Sequence, residues 1–580
     1  MNTSSYVEDD QEKIALFFSC RDLPKRSLSS GVGLYLMRFR EKDLYDRIAH
    51  SEVIHNEPNP DFTTSFELDF IFETKQRFKV EVWEKADNGS DSLLLGQAVF
   101  ELAEIAGALE NLKIMNLKKD LASSTVAGKC IARMDKISSH VSYEISFDTK
   151  ISNIPKFSFF SSWNSFLKIS KLRVSELAKA RANERDQNYE DLPNNQWLLI
   201  HTTSNLSGKN IEFENLTFKG SKLCNNDFNV PIKVELWKYK GSNDNYLLGK
   251  FVFKINDLIS GKRDFTFNLV KTSEKTTMNF RNFKFNEMFS FTDFLRGGLS
   301  INLVVGIDFT ASNKDPSDVN SLHYLKKGKL NFYQQAILSV GEILEKYNHT
   351  GKIPAYGFGA KIGTPPTLSH FFPLSFNYQN PFFNSFKELF DSYEKALSNM
   401  VFSGPTHFAP LLEKVIEFAK ARFEIDPNNY TTFLLLTDGV INDLQATIDQ
   451  IVKACHYPIS IIIVGIGNED FKSMDILDAD DVPLVSSWGE KMINDIVQFV
   501  PFNKFANNPI TLRQEVLEEL PGQVVAYFKS KGIRPGKPRI LDINSIGLNV
   551  SNGFINPRME SYGNNGNNTY PNLDEFTSHL

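Results

Sequence analysis

The stretch that decides the fold of this chain is residues 301–313, which read INLVVGIDFTASN. It begins as an apolar run, and a strand without polar alternation is typical of a parallel sheet that helices cover on both faces. The run ends in oxygen-bearing side chains at every second position, namely Asp308, Thr310 and Ser312. An extended loop points alternate side chains the same way, so these three can offer one carboxylate and two hydroxyls to a hard cation at the carboxyl end of the strand.

Two later stretches add oxygen ligands at comparable positions. Thr406 precedes a predicted helix, and Asp438 follows a predicted strand over residues 432–436. Strand and helix patterns alternate through this part of the chain, which predicts a doubly wound α/β domain. A simpler interpretation is that Asp308 and Asp438 only cap helices, because short clusters of Asp, Ser and Thr are common at strand ends. The presence of all three stretches in order favours a single cation site.

Length and composition limit the class of protein. The 580 residues are too many for one core and predict about three or four domains. The formal net charge of -6 gives no support to a nucleic-acid partner. The four cysteines are scattered without a CxxC pair, which indicates a reducing compartment. The first residues lack a signal-peptide pattern, and no apolar run reaches the ~20 residues that span a bilayer. We therefore expect a cytoplasmic protein, or one that lies peripherally on the cytosolic face of a membrane.

The chain before residue 290 contains a repeat of β-rich sequence. Short apolar runs separated by turn residues predict antiparallel sandwiches in this part. Residues 78–83 (FKVEVW) and 94–100 (LLGQAVF) have counterparts in residues 232–237 (IKVELW) and 247–253 (LLGKFVF). A tandem repeat of one β-domain is the simplest explanation.

Both repeats resemble C2 domains, because their Leu-Leu-Gly pattern is that of the third-loop region of this fold and residues 59–62 (NPDF) resemble its Asn-Pro-x-Phe/Trp turn. The later part is similar to the A domain of the copine family, which joins two tandem C2 domains to a von Willebrand factor A-type domain. The likeness covers roughly residues 10–535. The segments that carry it, in family order, are 289–298 (FSFTDFLRGG), 306–313 (GIDFTASN), 321–324 (SLHY), 356–360 (YGFGA), 404–406 (GPT), 436–440 (LTDGV), 461–468 (IIIVGIGN) and 495–502 (DIVQFVPF).

The resemblance implies a multidomain fold with two antiparallel β-sandwich C2 domains and one doubly wound α/β domain of the von Willebrand factor A type. Low apolar content after residue 532 predicts disorder at the end of the chain. The predicted boundaries are 10–122 and 125–280 for the two C2 domains, 295–510 for the A domain, 511–530 for a closing helix and 533–580 for a disordered, Asn-rich tail.

The resemblance also implies a metal-ion-dependent adhesion site. By that likeness, Thr310, Ser312 and Thr406 bind Mg²⁺ or Mn²⁺ directly or through water, while Asp308 and Asp438 act largely through water. Thr310 stands where the family pattern has Ser and keeps its hydroxyl. Because Mg²⁺ prefers six oxygens and retains several waters, one position can stay open for an acidic side chain of a protein partner.

The C2 loops lack the carboxylates that calcium requires. Calcium-binding C2 domains collect about five Asp oxygens, since Ca²⁺ takes six to eight ligands. Here Lys25 falls near the first-loop Asp, and Lys238-Tyr239-Lys240 replaces the Asp-Tyr-Asp of the second domain. We therefore expect weak or no Ca²⁺ binding by either C2 domain. Lys238, Tyr239 and Lys240 become candidates for binding anionic phospholipid directly. The alternative is a solvated face with Trp237 in the core.

Enzymatic interpretations fit less well. A phosphohydrolase of the haloacid-dehalogenase type uses Asp-x-Asp-x-Thr, but Thr310 replaces the acid/base Asp. His323 and His407 belong to no recognisable triad and are interpreted as structural or exposed, and Walker, HExxH and nucleophile-elbow motifs are missing.

We therefore predict a binding protein rather than an enzyme. It would be a copine-like adaptor that binds anionic phospholipid and recruits protein partners through a metal-bridged acidic side chain. The alternatives are a soluble interaction scaffold without lipid affinity and, less favoured, a metal-dependent phosphohydrolase.

Overall fold

The structure, a computed structural model, forms two compact units, Met1–Ile137 together with Ser290–Leu580, and Ser138–Phe289. Within the residues that it describes, no helix is both long and apolar enough to cross a membrane. The described residues are 12–24, 30–41, 44–86, 89–136, 142–155, 164–173, 189–240, 245–270, 274–479, 482–505 and 508–538.

The first β-sandwich packs a sheet of order β5-β1-β9-β8 against a sheet of order β3-β2-β6-β7, with β4 beside β2. Alternating burial in β5, where Phe66, Leu68 and Phe70 point inward, is typical of a sheet with one solvated face. Its elements are β1 (Glu12–Arg21), β2 (Gly31–Phe39), β3 (Tyr45–His50), β4 (Ile54–His55), β5 (Phe66–Phe70), β6 (Arg77–Lys85), β7 (Asp91–Glu101), α1 (Leu102–Ala106), β8 (Leu112–Leu117) and β9 (Gly128–Lys136).

The predicted boundary after residue 122 is wrong. Strand β9 pairs with β1 in an antiparallel ladder that runs from Ile14↔Lys136 to Arg21↔Lys129, and with β8 on its other side. The first sandwich therefore ends at residue 136. The residues assigned to the start of the second domain are needed to complete a sheet of the first.

The second sandwich packs a sheet of order β13-β10-β18-β16 against one of order β12-β11-β14-β15-β17. The sequence repeat reappears in its geometry, because the β6–β7 and β14–β15 pairs shift register at the same place, at Trp83 and Trp237. Its last strand ends at Met288 rather than at the predicted residue 280. Its elements are β10 (Ser142–Ser152), β11 (Ser165–Leu172), β12 (Trp197–Thr202), β13 (Ile211–Lys219), α2 (Gly220–Cys224), β14 (Ile232–Lys238), β15 (Tyr246–Phe253), α3 (Ile255–Ile259), β16 (Asp264–Thr266), β17 (Asn268–Leu269) and β18 (Thr277–Met288).

A sheet of order β23-β20-β19-β26-β27-β28, with β24 beside β20, forms the centre of the following domain. The pairs β19–β20, β19–β26, β26–β27 and β27–β28 are parallel. Every residue of β19, β26 and β27 is buried, so both faces of these strands are covered. The strands are β19 (Ser300–Asp308), β20 (Ile353–Phe358), β21 (Ala360–Ile362), β22 (Thr367–Ser369), β23 (Phe372–Pro373), β24 (Phe382–Phe383), β25 (Val401–Phe402), β26 (Asn429–Thr437), β27 (Ile459–Gly465) and β28 (Val497–Pro501).

Eight helices belong to this part of the described chain. The predicted closing helix over 511–530 is two helices, and Pro521 lies in the first turn of the second, where a missing N–H costs no hydrogen bond. The helices are α4 (Phe291–Arg296), α5 (Phe332–Leu344), α6 (Phe386–Leu397), α7 (Ala409–Ile425), α8 (Leu444–Ala454), α9 (Lys472–Asp478), α10 (Pro509–Leu517) and α11 (Leu520–Ser530).

The first six residues of the predicted tail are described. The N–H of Ile533 donates to the Phe528 carbonyl at 2.9 Å, and the backbone at Gly536 lies so close to Gly297 that a Cβ there would come within 2.5 Å of it. These residues therefore pack on the α/β domain instead of forming part of a disordered tail. The remainder of the predicted tail, residues 539–580, lies outside the described residues.

The first sandwich and the α/β domain pack together within one unit. Phe72 is buried against Phe291 and Tyr347, with ring centroids 4.9 and 4.8 Å apart. The carboxylate of Glu12 accepts the N–H groups of Phe291 and Thr292, each at 3.0 Å. Both β1 and β19 begin near this contact. The loops at the far end of β1 and the carboxyl ends of the parallel strands therefore lie away from it.

Candidate metal centre

Strand β19 delivers Asp308 to the carboxyl edge of the sheet, where its side chain is completely buried. One carboxylate oxygen, Oδ1, accepts the N–H of Thr310 at 2.8 Å and its hydroxyl at 2.6 Å. The other, Oδ2, accepts the hydroxyl of Thr437 at 2.7 Å. Three hydrogen bonds from uncharged donors thus hold this carboxylate in one orientation.

The hydroxyls of the first loop lead from this carboxylate to the surface. Thr310 is buried, Ser312 is exposed, and their hydroxyl oxygens lie 2.9 Å apart. A short 3-10 turn, Ala311–Asn313, follows Thr310 and brings Ser312 back towards the strand end. The alternation predicted for Asp308, Thr310 and Ser312 is therefore realised as a turn in which neighbouring members touch.

Asp438 follows strand β26 and is only 2% exposed. Its Oδ2 has no hydrogen-bond partner among the described residues. Burial, followed by the negative charge of Asp308, raises the pKa of Asp438 to about 7, although a hydrogen bond from Ser312 acts in the opposite direction. Burial also raises the pKa of Asp308. Among the described residues, no lysine or arginine is one of the main causes of either shift, and the largest charge effect on Asp438 is repulsion by Asp308.

The segment that carries Thr406 joins the other two loops. The carbonyl of Ser403 accepts the N–H of Ala311 at 2.5 Å. The N–H of Thr406 donates to Asn442 Oδ1 at 2.7 Å, and the Thr406 carbonyl accepts the N–H of Asn442 at 2.9 Å. The three stretches predicted to carry ligands therefore converge at one edge of the sheet, and Thr406 lies buried there.

The residues at this edge fit a small, hard cation. Their donors are carboxylate and hydroxyl oxygens, which Mg²⁺ and Mn²⁺ prefer, and an unpartnered buried carboxylate oxygen is stabilised by a bound cation. No cluster of three or more His, Cys, Asp or Glu side chains suited to a metal occurs in the part of the chain that the structure describes. A zinc site rich in His and Cys is therefore not what these residues offer.

Comparison with known families agrees with this architecture. A family model described as the copine domain matches residues 321–536, and a model of the C2 domain matches residues 17–117. The chain therefore contains a C2 domain and a copine domain, which is consistent with a copine-family protein. The copine match includes Thr406 and Asp438, while the C2 match falls on the first sandwich, where the sequence predicts a C2 domain.

Solved structures similar to this chain include a C2 domain of plant extended synaptotagmin 1, with 16% identity over 22% of this chain and 98% of that one and a TM-score of 0.18. The calcium-bound pair of C2 domains from extended synaptotagmin 2 matches with 13% identity over 47% of this chain and 97% of its own, at a TM-score of 0.19. The manganese-loaded TRAP protein of Plasmodium vivax matches with 11% identity over 37% of this chain and 71% of its own, at a TM-score of 0.23. These TM-scores are too low to support an argument about function.

Two residues at the candidate metal centre were not predicted from the sequence to take part in it. Thr437 holds Oδ2 of Asp308, and its position directly before Asp438 at the end of a strand is the signal that could have identified it. His323 was interpreted as structural or exposed, and it is completely buried, with burial lowering its pKa to about 3. Its Nε2 lies 2.8 Å from the carbonyl oxygen of Asp308. His407 is half-buried, 4.5 Å from the ring of His370.

The three candidate lipid-binding residues differ in exposure in the structure. Lys238 is only 4% exposed, so its assignment to a cationic surface loop is wrong: it is the last residue of β14, and its side chain is covered. Tyr239 is half-buried. Lys240 is exposed, and its ammonium lies 5.2 Å from the centre of the Tyr246 ring. Trp237, which the alternative interpretation placed in the core, is partly exposed.

In the first sandwich, the carboxylate of Asp91 is neutralised from within the domain. It forms an ion pair with Lys85, lies 3.4 Å from Arg47 and accepts the hydroxyl of Tyr35 at 3.0 Å. Although partial burial opposes it, the bond from Lys85 and these neighbours lower the pKa of Asp91. Lys25, which replaces a first-loop Asp, lies outside the described residues.

Proposed function

We propose that this chain is a copine-like peripheral membrane adaptor of the cytoplasm whose α/β domain, of the von Willebrand factor A type, recruits protein partners through a bound Mg²⁺ or Mn²⁺. The observation that carries the proposal is the pair of buried carboxylates, Asp308 and Asp438, with Oδ2 of Asp438 unpartnered among the described residues. Two like charges buried together destabilise each other unless a cation or a proton joins them.

Each ligand residue has a distinct role in this proposal. The hydroxyls of Thr310, Ser312 and Thr406 are suited to bind the cation directly or through water, and the carboxylates of Asp308 and Asp438 supply its countercharge. When bound, the cation supplies an open coordination position for an acidic side chain of the partner. Ser312 is the exposed member of the set and would lie nearest to that partner.

The membrane part of the proposal rests on the C2 architecture. C2 domains commonly bind phospholipids, and in this chain we propose that they do so with little dependence on calcium. Asp91 supports this, because Lys85 and Arg47 already occupy the place of a counter-cation around its carboxylate. In the second sandwich, Lys240 is the candidate that remains exposed for an anionic headgroup, at about 1 kcal/mol per surface charge.

The soluble scaffold stays open as a second candidate because Lys238 is covered, which weakens the proposed cationic loop. The geometry does not support the hypothesis of a phosphohydrolase. Asp308 is completely buried, and Thr310 and Thr437 hold its two carboxylate oxygens, which suits an orienting carboxylate better than an exposed nucleophile.

Cosedimentation of the full chain with phosphatidylserine vesicles tests the membrane part. We expect the protein to pellet equally with Ca²⁺ and with a chelator, and to stay in solution with vesicles of neutral lipid. Pelleting only with Ca²⁺ would refute calcium independence. The absence of pelleting under both conditions would favour the scaffold.

Titration of the full chain with Mn²⁺, followed by the loss of the free-ion electron paramagnetic resonance signal, tests the metal part. We expect one site, lost in Asp438→Asn and competed by Mg²⁺. Asp449→Asn is a matched control, because Asp449 is a partly exposed carboxylate of α8 that bonds Ser487. Equal loss in both variants would contradict the assignment.

A further inference from the structure

His323 lies beneath the proposed cation site, in a stack of aromatic rings. Its ring is 4.1 Å from that of Tyr333 and 5.1 Å from that of Phe309, close to parallel with both, and all three side chains are completely buried. The stack leaves only the two ring nitrogens to make polar contacts. Each of them finds one partner.

The partners determine which nitrogen carries the proton. Nε2 lies 2.8 Å from the carbonyl oxygen of Asp308, which can only accept, so Nε2 must be the donor. Nδ1 of the neutral ring is then an acceptor, and it receives the hydroxyl of Tyr393 at 2.6 Å. The Tyr393 oxygen in turn accepts Nδ2 of Asn331 at 3.0 Å. Asn331, Tyr393, His323 and Asp308 therefore form a hydrogen-bonded chain with a single direction.

A second arm reaches the same loop from Tyr333. Its hydroxyl donates to Oδ1 of Asn313 at 2.7 Å, which leaves the amide nitrogen of Asn313 directed at Thr310, 3.4 Å from both the carbonyl and the hydroxyl oxygen. The carbonyl of Asn313 accepts the hydroxyl of Ser321 at 3.0 Å. Two arms thus hold the loop that carries Thr310 and Ser312, one through the Asp308 carbonyl and one through Asn313.

The side chains that hold the loop in this network are all uncharged, so they do not neutralise the carboxylates of Asp308 and Asp438. A lysine in the same place would neutralise Asp308 and remove the reason for a cation to bind. Neutral donors instead hold the Asp308 backbone while leaving the repulsion between Asp308 and Asp438 uncompensated. Supporting hydrogen bonds of this kind orient ligands, and their loss commonly costs 10- to 100-fold in metal affinity.

We propose that His323 is a positioning residue for the cation site: its Nε2–H, oriented by Tyr393, holds the Asp308 carbonyl and so presets the loop for the metal. The inference rests on the proposed function, since it assigns the preorganisation of that same site. It places the control of cation affinity in the segment 321–324 and in helix α6, neither of which supplies a ligand.

The test compares four variants of the full chain by Mn²⁺ titration. His323→Phe keeps an aromatic ring for the stack but removes both nitrogens, and Tyr393→Phe removes only the orienting hydroxyl. His323→Gln is the conservative variant, because its amide offers an N–H at about the same reach. Tyr430→Phe is the matched control: it deletes an equally buried hydroxyl, bonded at 2.9 Å to Ser460, in the same domain.

We expect Mn²⁺ to bind at least about tenfold more weakly in His323→Phe and Tyr393→Phe, within about threefold of wild type in His323→Gln, and unchanged in Tyr430→Phe. Thermal unfolding in chelator establishes that each variant is folded. Wild-type affinity in His323→Phe or in Tyr393→Phe would overturn the proposal. Equal losses in His323→Gln and His323→Phe would also overturn it, since the N–H would then not be the group that matters.

Hydrogen exchange in chelator separates failure of this inference from failure of the proposed function. The amides of residues 310–314 should exchange faster in His323→Phe and Tyr393→Phe than in wild type and in Tyr430→Phe. If wild type binds no Mn²⁺, the proposed function fails, and this exchange pattern decides the positioning role alone. Identical exchange in all variants would refute it.

Discussion

Two sets of aspartates in this chain have opposite electrostatic surroundings. In the first C2 domain, Asp91 lies between Lys85 and Arg47, and its pKa is lowered. At the edge of the parallel sheet, Asp308 and Asp438 lie beside each other among hydroxyl and amide donors, and both pKa values are raised, mainly by burial. The first domain has its own counter-cations, whereas we propose that the second site takes one from solution.

This difference indicates where a divalent cation can bind to the protein. A carboxylate that a lysine already neutralises gains little from Ca²⁺, because the ion must displace the ammonium before it binds. Buried carboxylates with hydroxyl neighbours gain both countercharge and ligation from Mg²⁺ or Mn²⁺. Dependence on divalent metal is therefore expected to lie in the α/β domain rather than in the first C2 domain.

The largest effect is expected from Asp438→Asn, which tests whether the buried pair of carboxylates binds the metal. We expect the affinity for Mn²⁺ to fall more than about 100-fold, because half of the countercharge is lost. In chelator at pH 8 we expect the same variant to be more stable than wild type, by about 1–3 kcal/mol, since the repulsion with Asp308 disappears. Metal titration and native-state hydrogen exchange measure the two effects. A variant that is destabilised in chelator would contradict the account of an uncompensated pair.

The pH dependence of stability tests the sign of the two shifts. A carboxyl whose pKa is higher in the folded state binds more protons when folded, so stability falls as pH rises from the unfolded value of 3.8 towards the folded value of about 7. In chelator, wild type and Asp438→Asn should match near pH 4, and wild type should become the less stable of the two by pH 8.

The same series with Mg²⁺ provides the control. Mg²⁺ binds the ionised pair, so its stabilisation of wild type should grow over this pH range and be absent in Asp438→Asn. Asp91 should behave in the opposite way, because its lowered pKa gives stability that is lost as pH falls through the folded value. A Mg²⁺ effect independent of pH would contradict the assignment of the raised pKa to the metal site.

Lys85→Met tests the first C2 domain, where Lys85 neutralises the carboxylate of Asp91. Lys85 is 7% exposed and bonds both Asp91 and the Tyr35 hydroxyl, at 2.9 Å to the latter. We expect its loss to reduce the stability of the first sandwich by about 1–2 kcal/mol, between the values of exposed and buried ion pairs. Hydrogen exchange of the β6 amides measures the loss. The exposed Lys13→Met is the control, and equal effects of the two variants would show that the ion pair is irrelevant.

The smallest expected effect is on the affinity for anionic phospholipid. Lys240→Gln removes one exposed charge and should weaken binding to phosphatidylserine vesicles about fivefold, as expected for about 1 kcal/mol. Lys222→Gln, at another exposed lysine of the same domain, should change it less. Lys238→Gln should act on stability instead of lipid affinity, because that lysine is covered. Vesicle cosedimentation at fixed ionic strength measures all three, and equal losses would point to non-specific attraction.

Local sequence patterns were sufficient to predict the elements whose structure depends on a short stretch of residues. The apolar run 301–307 predicted a fully buried strand, and β19 is buried at every residue. The repeat around Trp83 and Trp237 predicted two related sandwiches, and the two hairpins share a bulge at the same position. The end of the first sandwich was missed because β9 lies between β8 and β1, and the pairing with β1, more than 100 residues earlier in the chain, leaves no local sequence signal.

The sequence by itself determined which donors this edge of the sheet offers: Asp308, Thr310 and Ser312 after a buried strand, and Asp438 after another, all carry oxygen, the donor that a hard cation prefers. Only the tertiary structure decided the electrostatics. Whether a carboxylate lies beside Lys85 or beside a second carboxylate, and whether Lys238 faces solvent, depend on contacts between strands. Such contacts are long-range, and burial magnifies the energy of each charge that they bring together.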